Sequence, residues 1–172
     1  MQQRIEDLDD LFLESKGKPI KYNGKILLAV DRLAVEKGDV FEVVLEKFNS
    51  EWEQGITLNL KGSIIMNNRE STQGSIIWQH TAPKKISFEV QPKKKKDLLS
   101  LYNVWDRTNY GRADAWVGGA AMIREDIPNG ARYYCNDGHY DENFDDLVFS
   151  IVKTKGTWEA QPLEAIEDEP SP

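Results

Sequence analysis

Cysteine is nearly absent from this chain, with Cys135 the only one in 172 residues. No intrachain disulfide can form, and a zinc site built from several thiolates is excluded. Histidine is almost as scarce: His80 and His139 stand alone, and neither belongs to an H-x-x-x-H pattern. Long apolar runs are missing too. Ile26-Leu-Leu-Ala-Val30 spans only five residues, far short of the ~20 a membrane-crossing helix needs. The opening residues carry no apolar segment of signal-peptide type. These absences predict a cytoplasmic protein with no membrane partner. Glycine-rich phosphate loops, G-x-S-x-G elbows and kinase-like motifs are also missing, so catalysis is not expected.

What is present suits a globular chain. Hydrophobic residues make up 40% and charged residues 30% of the sequence, enough apolar content to support a packed core. The net charge of −7 is uneven. Removing the tail carboxylates Glu159, Glu164, Glu167, Asp168 and Glu169 leaves a body near −2, which gives no bulk attraction for nucleic acid. Lys84, Lys85 and the run Lys93-Lys-Lys-Lys96 form the one basic cluster. No aromatic residues are interleaved with it, so it reads as a solvated loop.

Ile5, Leu8, Leu11 and Phe12 recur at helical spacing, with Gly17 where a C-terminal cap would sit, and predict a helix over 3–15. The pattern then changes to period two. Asn23-Gly24 marks a type I′ hairpin, and Pro128-Asn129-Gly130 a second tight turn. Strands are expected near 26–33, 39–47, 55–66, 75–80, 85–91, 98–105, 114–124, 130–136 and 146–153. Alternation is clearest in Ile86-Ser-Phe-Glu-Val90 and in Leu147-Val-Phe-Ser-Ile151. Many short strands without intervening helices predict an all-β antiparallel sandwich of jelly-roll type, with a short N-terminal helix. The expected division is a helix over 1–18, the sandwich over 19–157, and an acidic disordered tail over 158–172.

Residues 133–152 hold Asp137, Asp141, Glu142, Asp145 and Asp146 with no Lys or Arg. Carboxylates this dense repel one another unless a cation or ordered donors offset them. Asp141, Asn143 and Asp145 alternate in the D-x-[DN]-x-[DN] manner of a calcium loop. Asp146 stands where an EF-hand wants glycine, and Val152 where it wants glutamate, so an EF-hand is excluded. The segment Asp141-Glu-Asn-Phe-Asp-Asp-Leu-Val-Phe149 resembles the D-x-D-F-N-D-[LV]-V motif of LruC-type and related bacterial β-rich domains. That resemblance, over about nine residues, implies calcium held by Asp141, Asn143, Asp145 and Asp146. Asp137, with Gly138 to turn the chain, is a further candidate ligand. The same side chains would also serve as turn caps.

A second unusual stretch alternates aromatics with Asn and Asp from Asn103 to Trp116, then relaxes into Gly118-Gly119-Ala120-Ala121. Trp105, Tyr110 and Trp116, beside Asp106, Asn109 and Asp114, are residue types a carbohydrate platform uses. The tryptophans would equally suit a core. Cys135 and His139 lie four apart, but nearby carboxylates oppose a thiolate, so they read as a core thiol and a loop imidazole. The composite expectation is a non-enzymatic binding protein with a calcium-type loop, recognising a protein partner in an inhibitor or immunity-like role. A calcium-dependent carbohydrate module and a structural subunit are the alternatives.

Overall fold

A computed structural model describes residues 8–72, 74–141 and 143–163. Its frame is two packed antiparallel sheets. The smaller holds β3 (Asp31–Glu36), β5 (Glu53–Asn59), β8 (Ser75–Trp78) and β10 (Lys96–Asp106), in the order β3-β10-β5-β8. The larger contains β4 (Val40–Phe48), β6 (Gly62–Met66), β7 (Arg69–Ser71) and β9 (Lys85–Pro92), in the order β4-β9-β6-β7. β11 (Ala121–Ile127), β12 (Gly130–Asn136) and β13 (Leu147–Lys155) extend that sheet beyond β4. A separate hairpin pairs β1 (Ile20–Tyr22) with β2 (Lys25–Leu27).

The core lies between the sheets because alternate residues point inward from both. Ile86, Phe88 and Val90 of β9 and Leu147, Phe149 and Ile151 of β13 meet Leu33, Leu58, Leu99 and Leu101 of the smaller sheet. A second, smaller core gathers Leu8, Phe12, Ile20, Leu27, Ala121 and Phe144. Among the described residues no helix is long and apolar enough to cross a membrane.

Local chemistry explains the turns. Asn23 and Gly24 both take positive φ, 49° and 75°, as a two-residue type I′ loop requires. Asn67 and Asn68 do the same between β6 and β7. The helix α1 (Leu8–Glu14) ends in a Schellman arrangement: Gly17 N–H donates to the Phe12 carbonyl, and Lys16 N–H to that of Leu13. Lys16, at φ 58°, takes the left-handed capping position expected of Gly17, which lies one residue further on. Residues 3–7 of the expected helix fall outside the described ones.

Four expected elements are corrected. The strand over 26–33 is split between β2, in the hairpin, and β3, in the smaller sheet. The single strand over 55–66 is two strands in different sheets, because the chain crosses at Leu60 and Lys61. Gly62 (φ 137°) permits this, since a β-carbon there would strike the Gln91 carbonyl. The strand over 114–124 is a lone bridge from Asp114 to Trp105, then a loop, then β11. Residues 158–163 do not stand apart from the body. Ala34 N–H donates to the Glu159 carbonyl and Gln161 N–H to that of Arg32, while Trp158, Ala160 and Leu163 pack on the core. The rest of the expected tail, 164–172, lies outside the described residues.

Candidate functional site

Three connections meet at one end of the sandwich: 49–52 after β4, 107–120 after β10 and 137–146 after β12. Asp137 is their hub. Its carboxylate is wholly buried and accepts the Ser50 hydroxyl at 2.6 Å, the Gln54 amide at 3.1 Å and the His139 backbone N–H at 3.0 Å. The His139 ring Nδ1 lies 2.6 Å from the same carboxylate, and Nε2 lies 3.2 Å from Glu51. Partial burial opposes the imidazolium, but these carboxylates outweigh it and hold the His139 pKa above its ordinary value. With carboxylates at both ring nitrogens, neither is engaged with a nucleophile.

The acidic loop is folded inward rather than splayed. Asn136, fully buried, accepts the Phe144 N–H at 2.7 Å and donates to the Asp141 carbonyl. Phe144 takes φ 50° and buries its ring in the second core. Asp146 is also buried and accepts the Asp137 N–H at 3.0 Å. Burial, reinforced by the Asp137 and Asp141 carboxylates, pushes its pKa up to about 7. Cys135 is buried alongside, and burial together with Asp146 raises its thiol well above the ordinary value.

The structure therefore brings together two of the five residues expected at a metal, Asp137 and Asp146. Asp145 turns instead toward β4, where its Oδ2 meets Lys47 Nζ at 3.2 Å and the Asn49 amide at 3.0 Å. Asn143 is exposed. Asp141 Oδ1 and Asp145 Oδ1 are buried and lack a hydrogen-bond partner among the described residues. Among those residues no group of three or more His, Cys, Asp and Glu is placed to hold a metal ion. Glu142 lies outside them.

The aromatic stretch is the other wall of this end. Trp105 is fully buried and stacks on Trp52, which in turn stacks on His139 at 3.8 Å between centroids. It has no face to offer a sugar, so the expected two-tryptophan platform is not formed. Asp106 is consumed by its own turn. It accepts the N–H groups of Thr108, Asn109 and Gly111 and the Thr108 hydroxyl. The Thr108 hydroxyl chiefly, with these amides, holds the carboxyl below the usual range against the effect of burial. Asp114 pairs with Arg107 at 2.9 Å and Arg112 at 3.7 Å. Gly118 and Gly119 do allow close approach, and the approaching backbone is that of Gly138 and His139.

No family model, curated protein or solved structure matches this chain. Its function has to be read from geometry. Beside the exposed charges of Glu51, Arg107 and Arg112, the loop end offers solvent four large apolar or aromatic side chains: Tyr110 is 92% exposed, Trp116 48%, Val117 49% and Tyr140 50%. Trp116 sits at φ 58°, packed at a tilt on Tyr102 at 4.3 Å between centroids and donating its indole N–H to the Ala29 carbonyl. Tyr140 reaches over Gly118, which joins it to the Trp116–Val117 corner. Sequence reasoning missed Ser50, Trp52, Gln54 and Tyr140, while Tyr110 was singled out with Trp105 and Trp116 as a platform aromatic. A tryptophan inside the turn-like Asn49-Ser-Glu-Trp52 was the one available signal.

Proposed function

We propose that this chain acts by binding, not by catalysis, and that its loop end recognises a protein partner. The observation that carries the reading is the set Tyr110, Trp116, Val117 and Tyr140, large exposed side chains on loops tied down by buried and part-buried hydrogen bonds. Tyr and Trp on rigid supports contribute large contact area at small conformational cost, the usual make-up of an interface anchor. The scaffold we infer is the jelly roll. In support, β3 to β10 divide between the sheets in the orders β3-β10-β5-β8 and β4-β9-β6-β7, the wrapping two Greek keys produce.

The test is a quantitative pull-down from source cells with the parent protein, Tyr110→Ala/Tyr140→Ala, and Ile76→Ala on a distant strand. A protein retained by the parent and Ile76→Ala but reduced about thirtyfold or more with the loop variant supports the reading, since an anchor contributes about 2 kcal/mol or more. Equal retention by all three refutes it.

A second reading is that the acidic loop takes calcium, supported by the two partnerless oxygens, Asp141 Oδ1 and Asp145 Oδ1. Asp141, Asn143, Asp145 and Asp146 would hold the ion, which would offset their charge and staple the loop. Melts with calcium, magnesium or EGTA test this on the parent and on Asp145→Ala/Asp146→Ala. Calcium at 100 times its dissociation constant adds about 2.7 kcal/mol to the parent alone; no shift in the parent refutes the site.

A further inference from the structure

Lysines gather at the end of the sandwich away from the acidic loop. Three connections meet there: 37–39 between β3 and β4, 60–61 between β5 and β6, and 93–95 between β9 and β10. Lys93 N–H donates to the Lys61 carbonyl at 3.0 Å, and Gly38 N–H to the Val90 carbonyl at 2.9 Å. The Lys155 ammonium lies 4.0 Å from where a Gly38 β-carbon would sit. Lys37, Lys61, Lys93, Lys94, Lys95 and Lys155 are all exposed on these adjoining turns. None has an ion-pair partner among the described residues. Lys84 and Lys85 of the sequence cluster lie toward the other end, with Lys85 opposite Val44.

Most acids of this end are already neutralised. Glu36 pairs with Lys96 at 3.4 Å, and Asp39 with the buried Lys153 at 3.0 Å. Glu125 and Asp126, on the neighbouring β11–β12 hairpin, pair with Arg132 and Arg124. Asp97 and Glu159 are left without a cation partner among the described residues. Both line a cleft of about 210 Å³ on the β3 flank, together with Glu36, Asp39, Lys96 and Lys153. Six lysines therefore outweigh two acids, and the blunt end stays positive.

Residues 37–39, 60–61, 93–95 and 155–157 include no arginine and no aromatic ring. Nucleic-acid surfaces rely on arginine forks and on rings that stack bases, along a groove that follows the strand. Turn tips at the end of a sandwich offer point charges without such a groove. A layer of anionic lipid headgroups needs nothing more, since each nearby lysine raises affinity for it roughly fivefold. β4, nine residues long, sets the acidic loop about 30 Å away. That is several Debye lengths at physiological salt, so its carboxylates barely oppose the contact.

We propose that this lysine end docks the chain on an anionic lipid surface, as a peripheral contact without insertion. Such a contact needs no membrane-crossing helix. It points the loop end away from the lipid and does not depend on that end binding a protein.

Co-sedimentation of the full chain with vesicles tests this, using phosphatidylcholine alone or mixed with phosphatidylglycerol. Binding should occur on the mixed vesicles only and be lost at high salt. Lys93→Gln/Lys94→Gln/Lys95→Gln should weaken it about a hundredfold, and Lys37→Gln/Lys61→Gln about twenty-five-fold. Lys18→Gln/Lys21→Gln/Lys84→Gln removes as much charge elsewhere and should change binding by less than about threefold. All these side chains are exposed, so melts should match the parent's. No binding to the mixed vesicles overturns the proposal. So does an equal loss in all three variants, which marks bulk charge, or no loss on replacing Lys37 and Lys61, which marks the lysine run alone. Tighter binding to mixed-sequence duplex DNA than to the mixed vesicles at the same salt assigns this end to nucleic acid and also overturns it.

Discussion

Replacing Lys153 with methionine should cost about 3–5 kcal/mol, the loss expected when one partner of a buried ion pair is removed. The Lys153 side chain is only 2% exposed and lies 5.2 Å above the Phe41 ring. Its ammonium donates to the Asp39 carboxylate at 3.0 Å, the Ala34 carbonyl at 3.0 Å and the Thr157 carbonyl at 2.8 Å. One charge thus ties β13 to β3, to the β3–β4 turn and to the start of the C-terminal segment. Methionine matches the length of the lysine stem, so no large cavity opens. The cost comes from Asp39, 11% exposed, left with the Glu36 N–H as its remaining donor, and from two carbonyls without partners. For a chain of this size the melting temperature should fall by roughly 6–20 °C. Urea denaturation of Lys153→Met, Asp39→Asn and the double variant measures the coupling. The double variant should recover about half the loss, because neutralising both partners removes the stranded charge. A loss under about 1 kcal/mol for Lys153→Met, or strictly additive single effects, would refute the reasoning.

Three further outcomes follow from the same structure. Asp146, raised to about 7 from 3.8, keeps a proton in the folded state that the unfolded chain releases. The stabilisation is complete below about pH 4 and is lost as pH rises through 7. His139, also raised, works in the same sense, its contribution present below 6.5 and lost above the raised value. Stability in EGTA should therefore fall between pH 4 and 8, and Asp146→Asn should flatten that slope; a rise over this range contradicts the assignment. Gly119→Ala drives a β-carbon into the His139 carbonyl and should cost about 1–3 kcal/mol, seen as faster hydrogen exchange over 137–146. Tyr133→Phe removes the hydroxyl that donates to Asp31 at 2.5 Å but leaves the Arg124–Asp31 pair in place. It should cost about 1–3 kcal/mol by calorimetry, and an unchanged melt would show the bond contributes nothing.

The partition between sequence and structure follows the range of each interaction. Strands β9 and β13 and the Asn23-Gly24 turn were legible because alternation and left-handed backbone preference are properties of a few adjacent residues. The crossing at Leu60–Gly62 was not, since the apolar run through Ile56-Thr-Leu-Asn-Leu60 carries no mark of which sheet each part will join. Asp137 drew attention as a charge, yet its role is set by Ser50 and Gln54, 87 and 83 residues away.

By composition and local pattern alone the chain is committed to a disulfide-free, strand-rich body with an acidic loop before its last strand. Only the tertiary structure decided that Trp105 is core and Trp116 surface, that Asp145 turns toward Lys47 while Asp146 turns inward, and that residues 158–163 pack on the body. A side chain's neighbours across the sandwich fix whether it meets water, and those neighbours come from distant parts of the chain.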